Sequence, residues 1–412
     1  MKTPPSKGTL RGLDWLNFFL ADVQTGVGPF LAIYLSKYGW NEQLVGVALS
    51  VGGIAGIAAQ TPAGALVDRV HSKRTLIAAG VIALATGALL IATLPTLWPI
   101  MTAQVLIGAS STIFIPAICA ISLGVVGHVL FDRRQGRNQA FNSAGNVVAA
   151  VSMGMIGYFF SDRGIFFFVV AFAIPTLWAL GRIRSDEIDY NLARGARPAS
   201  PKNGTPSAKD GAARFTDLFK IRGLPVFLVC AVMFHFANAA MLPLLGEMLS
   251  KGHGRASIMF MSACVVTTQV VITLIASSAG AKAGDWGRKP LLLIAFAVLP
   301  VRGVLYTLTD NVDLLVAIQV LDGVGAGIFG VVSVLVIADL TQGSGRFNFA
   351  LGAITTAVGI GASLSQAIAG GLVHHFGYRS GFLFLAAVAS VALAVLFFYM
   401  PETGKSQAVR ED

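Results

Sequence analysis

The chain has 412 residues, 55% of them hydrophobic and only 12% charged, and its mean hydropathy is +0.73. A soluble domain carries roughly a quarter charged residues, so this composition excludes a water-soluble globule and points to an integral membrane protein. The net charge of +10 does not call for nucleic acid, because the basic residues lie between apolar segments rather than on one face.

A membrane-spanning helix needs about 20 apolar residues. That window gives expected spans at 13–35, 43–67, 75–94, 97–126, 139–160 and 165–182, then at 223–249, 257–279, 289–308, 312–338, 348–374 and 379–400. The expected fold class is an all-α membrane protein of twelve transmembrane helices in two pseudo-symmetric six-helix bundles. The bundles are residues 1–181 and 223–412, joined by 182–222. The joining stretch is rich in Pro, Gly, Ser and mixed charge; it cannot bury enough surface to offset the entropy of ordering, and is expected to be a solvated linker. The first span is too long for a signal-peptide core and is interrupted by Asp22, so it is expected to be retained.

Lys and Arg fix the expected orientation, since cytoplasmic loops are enriched in them. The loops on the side of both termini hold Arg69, Lys73, Arg74, Arg133, Arg134, Arg137, Lys282, Arg288, Lys289 and the basic linker, whereas the opposite side holds only Lys37, Arg163, Lys251, Arg255 and Arg379. Both termini are therefore expected in the cytoplasm, on a multi-pass protein of the cell membrane, the inner membrane if the cell is bacterial. Cys119, Cys230 and Cys264 are scattered singly, which suits buried thiols and gives no disulfide framework, metal site or cofactor.

The two halves echo one another, as duplicated transporter bundles do. Leu35-Ser36-Lys37 recurs as Leu249-Ser250-Lys251, Gln104 through Gly108 as Gln319 through Gly323, and Gly136-Arg137 as Gly345-Arg346. Between spans two and three lies Gly64-Ala-Leu-Val-Asp68-Arg69-Val-His71-Ser72-Lys73-Arg74. Between spans eight and nine lies Gly280-Ala-Lys-Ala-Gly284-Asp285-Trp286-Gly287-Arg288-Lys289.

These loops resemble the G-x-x-x-D-R-x-G-R-K loop of the major facilitator superfamily, once per half at the positions that superfamily uses. The resemblance covers the whole chain and implies a gating latch formed by Gly64, Asp68, Arg69, Lys73 and Arg74, with Gly280, Asp285, Arg288 and Lys289 in the second copy. Such a loop has a physical logic: a small Gly admits close helix approach, an Asp faces a positive helix N-terminus, and basic residues hold the cytoplasmic surface. The chain departs from the pattern at His71 and Ser72, and Gly284 stands where the second Asp is usual. It also has Gln104 where many proton-coupled members have Arg, and no Gly-Pro pair in span five, so the motifs leave direction open.

Charges inside a bilayer core cost at least ~2.5–3.5 kcal/mol, which makes each a functional expectation. Asp22 lies about 14 Å into the first span and is the first expectation for a proton-binding carboxylate. Arg302 and Asp322 lie at similar depths on spans nine and ten and are expected to pair; Arg302 facing a cavity would instead suit an anionic substrate. His235 could titrate near neutrality. Gln24, Gln104, Phe234, Phe236, Asn238 and Gln319 lie on spans one, four, seven and ten, which in the superfamily line the central cavity.

The function expected from this pattern is secondary active transport of a small organic solute by alternating access, proton-coupled, as a monomer. Efflux of drug-like compounds and uptake of a metabolite or siderophore are both compatible with it. The sequence has no H-E-x-x-H, G-x-S-x-G or P-loop motif, so an intramembrane enzyme is disfavoured. A sensor or scaffold would require a cavity closed by bulky side chains.

Overall fold

A computed structural model describes residues 5–25, 28–70, 72–190, 221, 223–341 and 347–403. Helix α1 (Lys7–Thr25) gives way to α2 (Pro29–Lys37), which starts at a proline. Proline has no N–H to extend a preceding ladder but is preorganised for a first helical turn, so one expected span becomes two helices. Next come α3 (Glu42–Arg69) and α4 (Lys73–Thr93), the latter capped by the Ser72 hydroxyl. Helix α5 (Leu97–Phe159) is broken at Gly127, where φ is 69° and ψ is 176°, and so supplies both the fourth and fifth spans. Only glycine takes that backbone geometry without strain.

Helix α6 (Asp162–Gly181), capped by Ser161, is followed by a 3-10 turn at Ser185–Glu187. The second half comprises α7 (Leu224–Ala239), α8 (Met241–His253), α9 (Ala256–Trp286) and α10 (Arg288–Leu305). It ends with α11 (Val312–Thr341), α12 (Phe347–Phe376) and α13 (Tyr378–Tyr399). Helices α7 and α8 together occupy the seventh expected span, and no strand occurs among the described residues.

Nine helical stretches among the described residues are long and apolar enough to cross a membrane. The three expected spans missing from that set are α1, the second half of α5, and α10. The first of these runs across residues outside the described ones; in the other two the sequence says why, since the second half of α5 carries Asn142 and Asn146 among its apolar residues and α10 carries Arg288, Lys289 and Arg302. Hydropathy counts each such group as if unpaired, whereas the fold pairs several of them.

The helices cluster into two compact units. One is built from the described parts of Met1–Tyr38 and Val51–Pro206, the other from Gly39–Ser50 and the described parts of Ser207–Asp412. The start of α3 thus packs with the second unit, a division that the expected bundle 1–181 did not include. In the first unit the helices touch backbone to backbone. A Cβ on Gly108 would lie 2.0 Å from the Gly52 carbonyl oxygen, and one on Gly145 would lie 2.2 Å from that of Phe18. In the second unit a Cβ on Gly323 would meet Thr268 and Val271 at under 3 Å. The Gln-to-Gly echo therefore marks the same event in each half, a close helix crossing that only glycine permits.

The expected linker begins later than 182. Ile183 and Ile188 are buried, the Asp189 amide donates to the Gly124 carbonyl at 2.9 Å, and Glu187 accepts from the Ser6 amide at 2.9 Å. Two isoleucines anchor this segment; residues 191–220 and 222 lie outside the described ones.

Candidate functional site

The second unit holds a buried polar network within its apolar core. Arg302 on α10 is 1% exposed, and its Nη1 donates to Asp322 Oδ1 on α11 in a direct ion pair. Its Nη2 donates to Asn238 Oδ1 on α7 at 2.6 Å, and the guanidinium also contacts the Met241 thioether and lies 5.8 Å from the Tyr306 ring. Asp322 further accepts from the Thr268 hydroxyl on α9 at 3.2 Å, and Gln319 donates to the Tyr306 hydroxyl at 2.6 Å. Five helices therefore converge on one charge pair whose donors and acceptors are multiply matched. Such matching is what a buried pair needs to offset its desolvation.

The first unit has an amide-lined cavity of about 220 Å³. Asn17 on α1 and Asn138, Gln139 and Asn142 on α5 face Phe114 and Ile118 across it. Asn138 is fixed in place, accepting from Arg134 Nε at 2.8 Å and donating to Ser122 Oγ at 2.9 Å. Amides among apolar walls can donate and accept without carrying charge, as recognition of a small polar solute requires. Sequence reading passed over these residues because each amide is unremarkable singly; their spacing down one side of the fifth span was the available signal.

The structure brings together Arg302, Asp322 and Asn238, with Gln319 reached through Tyr306. It does not bring His235 to them: that ring lies 3.1 Å from the Ala231 carbonyl and edge-on to Phe329. Phe234 is a core residue rather than a cavity wall. It is stacked on Phe329 at 4.4 Å and packs on Phe296, because Phe227, Cys230, Phe234 and Ala237 form the buried face of α7. Phe236 meets Phe384 edge-on, and Gln104 is buried against Gly52. The side chains of Asp22, Gln24, Asp68 and Arg69, together with the setting of Gly64, lie outside the described residues.

The latch also differs from its expected form. Lys73 is buried, not held at the surface, and its ammonium donates to the Val67 carbonyl in the last turn of α3. A cation there satisfies an orphan carbonyl at the negative helix end, while Arg74 is half-buried. In the second copy Gly280 makes no close approach, its added Cβ meeting nothing nearer than Val331 at 3.7 Å, and Asp285 is exposed. Glu402 takes the role expected of Asp285. It sits at the N-terminus of α10 and accepts from the Arg288 and Lys289 amides at 2.8 and 3.1 Å. Arg288 Nε donates to Asp339 at 2.9 Å, and Lys289 Nζ donates to the Phe397 carbonyl. Asp339 and Glu402 were missed because both stand at helix ends, where a charge looks ordinary.

A family model described as Major Facilitator Superfamily matches residues 15–278 and 227–412. The chain belongs to the major facilitator superfamily. Two Mycobacterium tuberculosis proteins, from strains CDC 1551 / Oshkosh and H37Rv, are each 46% identical over 394 residues, covering 95% of this chain and 93% of theirs. Each is named an uncharacterized MFS-type transporter. Among solved structures, a mutant form of the nucleoside transporter NupG aligns with TM-score 0.78 at 14% identity, over 95% of this chain and 99% of its own. A POT family transporter in complex with 5-aminolevulinic acid aligns with TM-score 0.72 at 11% identity, over 96% of both chains. These likenesses show the fold. This major facilitator superfamily member is a multi-pass membrane transporter, and its family and relatives point to transport rather than catalysis.

Proposed function

We infer that the protein is a secondary active transporter that couples movement of a small organic solute to protons by alternating access. The observation that carries the reading is the Arg302–Asp322 pair, buried in the second unit and shared among α7, α9, α10 and α11. Protonating Asp322 removes the counter-charge of Arg302, and an uncompensated cation within the bilayer is expensive. Two events relieve it: a helix movement that hydrates Arg302, or arrival of a solute with an anionic group. Either links proton occupancy to conformation or to substrate. Asp22 is the second proton-carrying carboxylate of this reading. Solved proteins of this fold are named as transporters of solutes as different as a nucleoside and a peptide, so solute identity rests on the side chains. The amide-lined cavity of the first unit supports a polar solute.

The distribution of Lys and Arg supports cytoplasmic termini and an inner-membrane location in a bacterial cell. The test is flux of a solute panel into proteoliposomes under an imposed pH gradient, which also reads direction. Asp322→Asn is expected to abolish gradient-driven accumulation while leaving the protein inserted and monodisperse. Wild-type accumulation by Asp322→Asn, and by Asp22→Asn, would remove proton coupling through these carboxylates.

A further inference from the structure

The transport reading leaves unused a strongly basic cavity in the first unit, at the end of α1 where the chain begins. Its volume is about 360 Å³, and Lys7, Leu10, Arg11 and Asp14 on α1 line it with Val126, Leu130, Arg134 and Arg137 on α5. Four cations thus surround one carboxylate. Asp14 is already saturated: Arg134 Nη2 donates to it, and Arg137 grips it in a fork at 2.8 to 3.1 Å. Arg134 is also committed to Asn138. Lys7 and Arg11 are exposed, have no ion-pair partner among the described residues, and lie one helical turn apart on the same face. Glu187, the other carboxylate placed near the start of α1, is taken up by Ser6 and lies near Arg184.

A second, independent observation sets the depth of this cavity. The next residue on the Lys7–Arg11 face is Trp15, 40% exposed, which stacks on Phe19 and meets Phe141 edge-on at 6.1 Å. Arg137 in turn lies over the Phe141 ring at 5.5 Å. A tryptophan-centred aromatic layer one turn below a ring of cations is the pattern of a membrane–water interface, with the cations at the level of lipid phosphates. Exposed Leu130 beside the cavity offers an apolar wall for an acyl chain.

We propose that this cavity binds the phosphate of an anionic phospholipid headgroup, with Lys7, Arg11 and the outer edge of Arg137 as its cationic contacts. Arg134 is a positioning residue that holds Asp14. A free phosphate or phosphomonoester shares the recognition chemistry; the aromatic layer and Leu130 favour the lipid. The inference uses the orientation proposed above only to name the cytoplasmic leaflet, and its test measures binding without flux.

Native mass spectrometry of the full-length purified protein, titrated with phosphatidylglycerol or phosphatidylethanolamine, reads the affinity directly. Each basic residue near the membrane surface contributes about a fivefold factor, so Arg11→Gln should weaken phosphatidylglycerol binding about fivefold and Lys7→Gln with Arg11→Gln roughly 25-fold. Phosphatidylethanolamine binding should change little. Lys282→Gln, which removes one exposed basic charge in the second unit, is the charge-matched control and should leave phosphatidylglycerol binding unchanged. Equal binding by wild type and the double variant would overturn the site, as would equal weakening by Lys282→Gln. Displacement of phosphatidylglycerol by inorganic phosphate or glycerol 3-phosphate at millimolar concentration would overturn the lipid assignment and give the cavity to a soluble anion.

Discussion

Replacing Arg302 with Met keeps a long unbranched stem against Met241 while removing the charge. The cavity created is therefore small, and the dominant loss is electrostatic. Asp322 would be left in the core with the Thr268 hydroxyl as its remaining partner, and breaking one side of a buried pair costs about 3–5 kcal/mol. Adding Asp322→Leu removes the stranded carboxylate. What then remains is the Asn238 amide oxygen, which accepted from Arg302 at 2.6 Å, and the Thr268 hydroxyl, which loses its acceptor, a residual cost of about 1–3 kcal/mol. The double variant should therefore be more stable than Arg302→Met alone by about 2 kcal/mol, although it carries one more substitution in the core. Reversible unfolding in mixed micelles, titrated with dodecyl sulfate and followed by tryptophan fluorescence, reads the difference. A double variant no more stable than the weaker single variant would show that the two charges are not energetically paired.

Three further outcomes follow from other contacts. Gly108→Ala places a methyl 2.0 Å from the Gly52 carbonyl oxygen, forcing α3 and α5 apart at about 1–3 kcal/mol, and should reduce the monodisperse peak in size-exclusion chromatography of detergent extracts. Glu402→Ala strips the acceptor from the first amides of α10 and should destabilise the second unit by about 1–2 kcal/mol; an unchanged thermal midpoint would deny it a capping role. Glu187 lies outside the spans. Burial alone would raise its pKa, but hydrogen bonds from the Ser6 amide and Thr9 and the nearby Arg184 hold it below the ordinary 4.5. A lowered folded value means stabilisation that is complete above the ordinary value and fades as the pH falls through the lowered one. Glu187→Gln should accordingly flatten the acid side of the stability–pH profile, and an unaltered slope would count against this tie.

Much of the architecture is legible in the sequence because apolar run length and the placement of Lys and Arg are one-dimensional signals. The family loops add a second such signal, and the echo of Gln104–Gly108 in Gln319–Gly323 proves to mark equivalent crossings. What composition cannot carry is pairing at long range. Asp14 sits at the edge of a span and looks dispensable until α5 brings Arg134 and Arg137 to it. Glu402, beyond the last helix, acquires its role only because Gly287, at φ 91°, has no Cβ to obstruct it. Phe234 misled for a related reason: the seventh span is apolar on every side, so no periodicity in the sequence separates its core face from any other.

The ion pairs that make the weakly apolar helices tolerable also impose an order of assembly. Arg302 meets Asp322 only 20 positions later in the chain, whereas Asp14 must wait 120 positions for Arg134. At about 5–20 residues per second of synthesis, the first interval lasts about 1–4 s and the second about 6–24 s. For that longer period α1 has emerged with its carboxylate uncompensated and its basic face unsupported, and it gains a stable seat only when the fifth span arrives. Helix α1 is thus among the last of its half to settle.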